Sequence, residues 1–343
     1  MFNQKFKIAN FEISKNSKPL IIAEIGINHE GNFNQCIRMI LRAKNSGANL
    51  VKLQIVDPGE NYQKNTNSYK IFKKAMLSDE EIFKLYAFSK KNKINLFSTF
   101  DKKKFEFFNK ISQPCYKISS SQIYDYFFIK QILKKNKPVI LSTGVADISD
   151  LDVLLNLIKN EKNKKIVILQ CRSIYPTPLR EINLSRLTYI QNKYKVICGY
   201  SDHCRGIDVS ALSIHYGAKL IEKHFTLNKK KRGYDHNISA NSNDLKMLSN
   251  CINKNYKIYG NPNYELFDEI KKSSSLKKII RRFQLIRNIK KDSKLKKDDF
   301  KLIRTSNVKN FTKFNQIFPL ILKKKIKKNL KKGSFLSLKD FVK

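Results

Sequence analysis

Two histidines carry the strongest chemical signal in this chain. His203 closes the run Val196-Ile197-Cys198-Gly199-Tyr200-Ser201-Asp202-His203, and His224 lies in Leu220-Ile221-Glu222-Lys223-His224-Phe225. A helix-length segment and a Gly217-Ala218 turn separate them. Imidazoles at the ends of two consecutive βα units converge on one mouth, where a divalent ion can sit between them. The same edges of other apolar runs carry Glu24, Lys52, Thr99, Lys117 and Ser142. Two metal-type ligands, a carboxylate and two lysines around one opening suit metal-assisted chemistry on an anionic, phosphorylated substrate. One such histidine alone reads more readily as a satisfied core residue than as a ligand. A lysine on a buried strand is less easily explained away, because it is costly to bury unless an anion meets it.

The elements that must position these groups follow from hydrophobic patterning. Eight apolar, β-rich runs, at residues 20–27, 50–55, 94–100, 115–119, 138–142, 165–171, 195–201 and 219–225, alternate with helix-length amphipathic segments. Segments 34–46, 79–92, 126–135, 149–160 and 206–216 show helical spacing, and glycines punctuate the units. Eight βα units predict an α/β fold, a TIM (β/α)8 barrel. An open doubly wound sheet is the other arrangement, but no run is followed by a GxGxxG turn. Period-2 alternation puts Lys52 and Gln54 on one face, as it does Ser201 and His203, and Glu222 and His224. Residues 57–78 read as a polar loop long enough for a lid, and a last barrel helix is expected over 242–256. The expected domains are a barrel over 1–262, a linker over 263–278 and a small β-rich domain over 279–343.

Length and composition bound the alternatives. The chain has 343 residues, enough for a barrel of about 250 plus a small domain. No run of 18 apolar residues exists, and the N-terminus lacks a signal-peptide pattern. Six cysteines are scattered without CxxC spacing and read as reduced core thiols, so a cytoplasmic protein without membrane association is expected. The net charge of +41 invites a nucleic-acid reading. Only 11 of the 69 basic residues are arginine, the side chain suited to forked phosphate and base contacts, so a solvated lysine surface is expected and no nucleic-acid partner.

The motifs in order are AEIGINHEG (23–31), VKLQ (51–54), STF (98–100), YKISS (116–120), LSTG (141–144), CRSIYPTP (171–178), GYSDH (199–203), EKHFTL (222–227) and GYDH (233–236). Together they resemble the sialic acid synthases, meaning N-acetylneuraminate synthase and its legionaminate and pseudaminate relatives. The likeness covers nearly the whole chain, and residues 279–343 are similar to the antifreeze-like SAF domain of that family. It implies condensation of phosphoenolpyruvate with an N-acylated amino-sugar aldehyde, giving a nonulosonic acid and phosphate. It further implies that His203 and His224 bind Mn2+, or Mg2+ or Co2+, and that Glu24 orients or deprotonates water. Lys52, Thr99, Lys117, Ser120, Ser142 and Ser201 would hold phosphate and carboxylate. Gln54, Tyr175 and Asp235 would contact the sugar, and Arg304 would reach into the site from a partner in a domain-swapped homodimer. Three positions depart from the family pattern: Gln122 replaces a frequent carboxylate, Ser173 a common asparagine, and Arg304-Thr305-Ser306 the usual Arg-Pro-Gly turn. The Asp235-His236 pair looks more like the neuraminate and legionaminate members than the pseudaminate ones.

Two other functions are consistent with parts of the chain. A Schiff-base aldolase would use Lys117 as nucleophile and leave both histidines without a role. A polyanion-binding protein would use the lysine-rich C-terminal region and show steep salt dependence. Among the remaining candidates, His29 reads as a turn residue or a participant, His215 as a helix residue, and His236 as ordering its loop. Glu222 reads either as support for a metal site or as a structural partner of a lysine.

Overall fold

The computed structural model describes residues 1–260, 272–305 and 313–342. The chain divides into two compact units, Met1–Tyr259 and Gly260–Lys343. Most of the expected linker, residues 263–271, lies outside the described residues.

The first unit opens with a hairpin that the sequence reading did not anticipate, β1 (Lys5–Ile8) and β2 (Phe11–Ser14). Its signal is the alternation Phe6, Ile8 and Ile13 on one face. Eight parallel strands follow: β3 (Leu20–Gly26), β4 (Leu50–Ile55), β5 (Leu96–Phe100), β6 (Tyr116–Ile118), β7 (Val139–Ser142), β8 (Ile166–Gln170), β9 (Ile197–Asp202) and β10 (Leu220–His224). They close into a barrel, β10 pairing with both β9 and β3. Each strand lies within two residues of the run that predicted it, as do the helices Phe33–Asn45, Asp79–Lys91, Tyr126–Leu133 and Ile148–Ile158. The 206–216 segment instead splits into Asp208–Leu212 and a 3-10 turn, Ser213–Tyr216, and the last barrel helix runs to Tyr259.

Alternation along the strands sorts the core into two clusters. Outward residues such as Ile21, Val51, Leu96, Ile118, Leu141, Ile168 and Ile221 pack against the helices. Inward residues Leu20, Ile22, Leu50, Phe97, Cys115, Ile140, Val167, Leu169, Ile197 and Leu220 fill the barrel, and Phe6, Ile8 and Ile13 of the hairpin join them. The hairpin therefore covers the N-terminal end of the barrel with apolar surface, each large side chain contributing ~1.5–3 kcal/mol through burial. One inward position higher come Glu24, Lys52, Thr99, Lys117, Ser142 and Glu222, and two inward positions above Ile197 comes Ser201. The interior thus changes from apolar to polar or charged along seven of the eight strands, and that change defines the floor of the site. Gly199 is required there, since a Cβ would meet the Leu220 carbonyl oxygen at 2.3 Å and Leu169 Cδ2 at 2.6 Å.

Residues 57–78 are not a loop. They form two short helices, Pro58–Asn61 and Asn67–Lys74, with side-chain caps from Asp57 to Gly59 N and from Thr66 to Tyr69 N. Asp57-Pro58 is an N-cap followed by proline at the first helical position, a signal that the abundance of polar residues obscured.

In the second unit β11 (Arg281–Leu285) pairs antiparallel with β12 (Phe300–Arg304). Isolated bridges such as Ile289 to Leu330 and Ile326 to Phe341 complete a β-rich frame. Phe283, Leu285, Ile326, Leu330 and Phe341 form its core with Ile317 and Ile321 of a helix, Phe314–Lys323, that the strand-like pattern did not suggest. Among the described residues no helix is long and apolar enough to cross a membrane. All six cysteines are free, five of them buried.

Candidate active site

A cavity of about 500 Å3 opens at the C-terminal ends of the barrel strands. Twelve of the thirteen residues singled out from the sequence line it: Glu24, Lys52, Gln54, Thr99, Lys117, Ser120, Ser142, Tyr175, Ser201, His203, His224 and Asp235. The thirteenth, Arg304, ends β12 in the second unit and is exposed, while Ser306 of its altered turn lies outside the described residues. Glu222, left ambiguous by sequence, also lines the cavity. So do Tyr62, which follows the first of the two unforeseen helices, and Ser68 and Phe72 of the second.

The floor is a network of buried charges. Lys52 Nζ contacts the Glu24 carboxylate and lies 2.8 Å from Glu222 Oε2. Lys117 Nζ lies 3.4 Å from Glu222 Oε1, to which the Ser201 hydroxyl donates at 2.8 Å. Glu222 therefore bridges both lysines, which joins its two readings: it pairs with lysines and it belongs to the site. Burial alone would push its carboxyl up, but Lys117 and Lys52 outweigh burial and hold it below the usual carboxylate range. Burial pushes the Lys52 ammonium down, and Glu222 offsets this only in part. The Glu24 carboxylate oxygens accept no hydrogen bond of sound geometry despite the contact with Lys52. The buried hydroxyls of Thr99 and Ser142 have no partner either. Two ammonium groups beside unengaged hydroxyls form a cradle for an oxyanion.

The imidazoles stand on the rim of this floor, their ring centroids 5.4 Å apart. His203 Nδ1 lies 2.6 Å from the Arg172 carbonyl oxygen. That carbonyl only accepts, so Nδ1 carries the proton and the Nε2 lone pair is left for a ligand. The Ser201 hydroxyl is 3.5 Å from Nε2. His224 Nδ1 makes no hydrogen bond, and Asp235 Oδ2 is 3.5 Å away. Tyr175 leans over both rings, with centroids 4.2 Å from His203 and 6.2 Å from His224. Among the described residues no group of three or more His, Cys, Asp or Glu is arranged to hold a metal ion. The protein thus offers two nitrogen donors, one of them with an orphaned buried nitrogen. This donor set fits a divalent ion whose other positions are filled by water or substrate.

Four other polar residues lie elsewhere. His29 is buried beside the Gly31 amide, which donates to its Nδ1 at 3.2 Å. His236 is held by Thr226 Oγ1 at 2.8 Å and Glu30 Oε1 at 3.2 Å. His215 lies in the 3-10 turn near the opposite end of the barrel. Gln122 is turned into its own loop: its amide donates to the Phe100 carbonyl at 2.9 Å and accepts from Ser119 Oγ at 2.9 Å.

Burial lowers His29 and His203 to about 4 and His224 to about 3; His224 adds to the shift of His203, and Lys52 to that of His224. All three rings are neutral at pH 7, the form that binds metal. Unfolded, each would titrate near 6.5, so below about that pH the unfolded chain binds more protons than the folded one. Stability of the metal-free protein is therefore expected to fall as pH drops from about 6.5 toward 4, each ring contributing a slope of at most about 1.4 kcal/mol per pH unit. Urea midpoints at pH 7 and 5 check this; equal midpoints would mean that the rings are not held neutral.

Comparison with known proteins agrees with this geometry. Residues 39–264 match the model of the NeuB family. The N,N'-diacetyllegionaminic acid synthase of Campylobacter jejuni is 36% identical over 274 residues, covering 75% of this chain and 80% of that protein. The pseudaminic acid synthase of the same species is 29% identical over 350 residues, covering 98% of this chain and 99% of that protein. A crystal structure of N-acetylneuraminic acid synthetase from Leptospira borgpetersenii, in complex with citrate, superposes with a TM-score of 0.74 at 31% identity, covering 79% of this chain and 96% of that one. A charged barrel mouth with two neutral histidines, on a chain related to these synthases along most of its length, leads to one assignment: the chain belongs to the NeuB family and is a transferase of the sialic acid synthase type.

Proposed function

We propose that the chain condenses phosphoenolpyruvate with an N-acylated amino-sugar aldehyde, N-acetylmannosamine or a close relative, to give a nonulosonic acid and phosphate. The observation that carries this reading is the meeting of two neutral imidazoles with two buried lysines in one mouth. Lys52 and Lys117, with the hydroxyls of Thr99, Ser120, Ser142 and Ser201, hold the phosphate and carboxylate of phosphoenolpyruvate. Gln54, Tyr175 and Asp235 orient the sugar so that its aldehyde carbon faces C3 of phosphoenolpyruvate. C3 bonds to that carbon, water adds at C2, and phosphate departs. Glu24, whose carboxylate has unfilled acceptor capacity, orients that water or takes its proton. A divalent ion held by His203 and His224, Mn2+ before Mg2+ or Co2+, supplies Lewis-acid polarisation of the aldehyde when bound.

Phosphate release from phosphoenolpyruvate with Mn2+, measured across N-acetylmannosamine, its 6-phosphate and diacetylated dideoxy sugars, tests the reading. A legionaminate- or pseudaminate-type substrate is the second reading, favoured by the extent of identity to those two synthases. No release with any sugar would remove both. Lys117→Ala removes one charge-assisted contact of ~1.5–3 kcal/mol and should weaken the apparent affinity for phosphoenolpyruvate at least roughly tenfold. A borohydride-trapped imine between Lys117 and pyruvate would instead favour the aldolase.

The proposal extends to the second unit, read as an SAF domain, and to a homodimer in the cytoplasm. Arg304 then closes the site of a partner over the N-acyl group. Co-expressed His203→Ala and Arg304→Ala chains, each inactive alone, should recover activity through the one site of the heterodimer that keeps both residues. Confirmed subunit exchange without recovery would refute the cross-subunit role.

A further inference from the structure

The alternation that sends Ser201, His203, Glu222 and His224 into the barrel sends Asp202 and Lys223 outward, into the layer beneath the helices. The two are paired in register across β9 and β10. Both side chains are 0% exposed, and Lys223 Nζ lies 3.2 Å from Asp202 Oδ2. Neither lines the cavity. Both close on one residue, Cys204, immediately after His203. Its N–H donates to Asp202 Oδ1 at 2.8 Å, and its carbonyl accepts from Lys223 Nζ at 2.5 Å. The Ser210 hydroxyl donates to Asp202 Oδ2 at 2.5 Å and anchors the carboxylate to the next helix. On the cavity side, His203 has its ring tied to the Arg172 carbonyl and its own carbonyl accepting from Thr177 N at 3.1 Å.

An ion pair wholly removed from water is a poor source of stability, since apolar residues of similar volume serve a core at least as well. What this pair does provide is direction. It grips the amide and the carbonyl of one residue, so the backbone leaving His203 has a single path. We propose that Asp202 and Lys223 are positioning residues that set the aim and tautomer of the His203 imidazole, and through it the affinity of the site for a divalent ion. The second half of this statement rests on the metal reading given above, while the first half does not.

The test is a charge-neutral double variant, Asp202→Asn with Lys223→Met, which removes both charges together and leaves no orphaned ion. Its melting temperature is expected to stay near that of the natural chain. Two readouts are followed in the full-length protein. The first is Mn2+ binding by electron paramagnetic resonance of the free ion, expected to weaken about 10–100-fold, the range found when outer partners of metal ligands are lost. The second is the 15N spectrum of the imidazoles in metal-free protein, tractable with five histidines in the chain. There His203 should show one Nδ1–H tautomer in the natural chain and tautomer averaging in the variant. Should the double variant fail to fold, Ser210→Ala keeps both charges, frees the carboxylate from its helix anchor, and should move both readouts the same way. An unchanged tautomer and unchanged Mn2+ affinity in whichever variant folds overturns the proposal. A natural chain that shows the single tautomer but binds no Mn2+ sinks the metal reading and leaves the positioning role standing.

Discussion

Replacing His203 or His224 with alanine should abolish phosphate release from phosphoenolpyruvate while leaving the barrel folded. The two rings are the only imidazoles lining the cavity among the described residues, so loss of either halves the imidazole pair that would hold the ion. The effect should exceed the roughly 10–100-fold cost of disturbing residues that only support a ligand. Folding should survive because both rings are neutral when buried, so no charge loses its partner. Circular dichroism and melting temperature separate this outcome from unfolding. EDTA should silence the natural chain, and added Mn2+ should restore it. Full turnover after exhaustive chelation, or in either variant, would rule out metal-assisted condensation.

The barrel was legible because each strand is a continuous apolar run, and because helices cover the outer face while side chains fill the inner one. The site was legible for a related reason. A lysine such as Lys52 or Lys117 within such a run conflicts with burial, and the conflict marks where chemistry is placed. What escaped the sequence depends on tertiary context. The β1–β2 hairpin has only four residues per strand and is held by Phe6, Ile8 and Ile13 against the barrel interior. Tyr62, Ser68 and Phe72 reach the cavity only because residues 57–78 fold as helices, and local composition favoured a loop. Gln122 illustrates the limit of motif reading: the motifs marked it only as a departure where a carboxylate is frequent, and its amide is spent on Phe100 and Ser119. Parity alone could not decide the role of Glu222. Only the closed barrel brings it to Lys52, 170 positions away in sequence, and to Lys117, 105 away.

Glu222→Gln should cost the free protein more stability than any other single change on the cavity floor. The network holds two lysines and two carboxylates, so it is electrically balanced before any substrate arrives. The amide keeps the shape and can still accept from Ser201, but it leaves one carboxylate for two buried ammonium groups. Breaking a buried pair by neutralising one partner typically costs ~3–5 kcal/mol, because the remaining charge is desolvated without compensation. The loss should shrink when an anion takes the vacated role. Urea denaturation with and without phosphoenolpyruvate measures this, and the ligand should raise the midpoint of the variant more than that of the natural chain. Such a result would make Glu222 the internal counter-ion that keeps Lys52 and Lys117 together until phosphoenolpyruvate replaces it. A variant as stable as the natural chain, or one no more responsive to phosphoenolpyruvate, would show that the lysines do not depend on Glu222 for charge balance. The charge balance of the floor would then have to be ascribed to Glu24, which contacts Lys52.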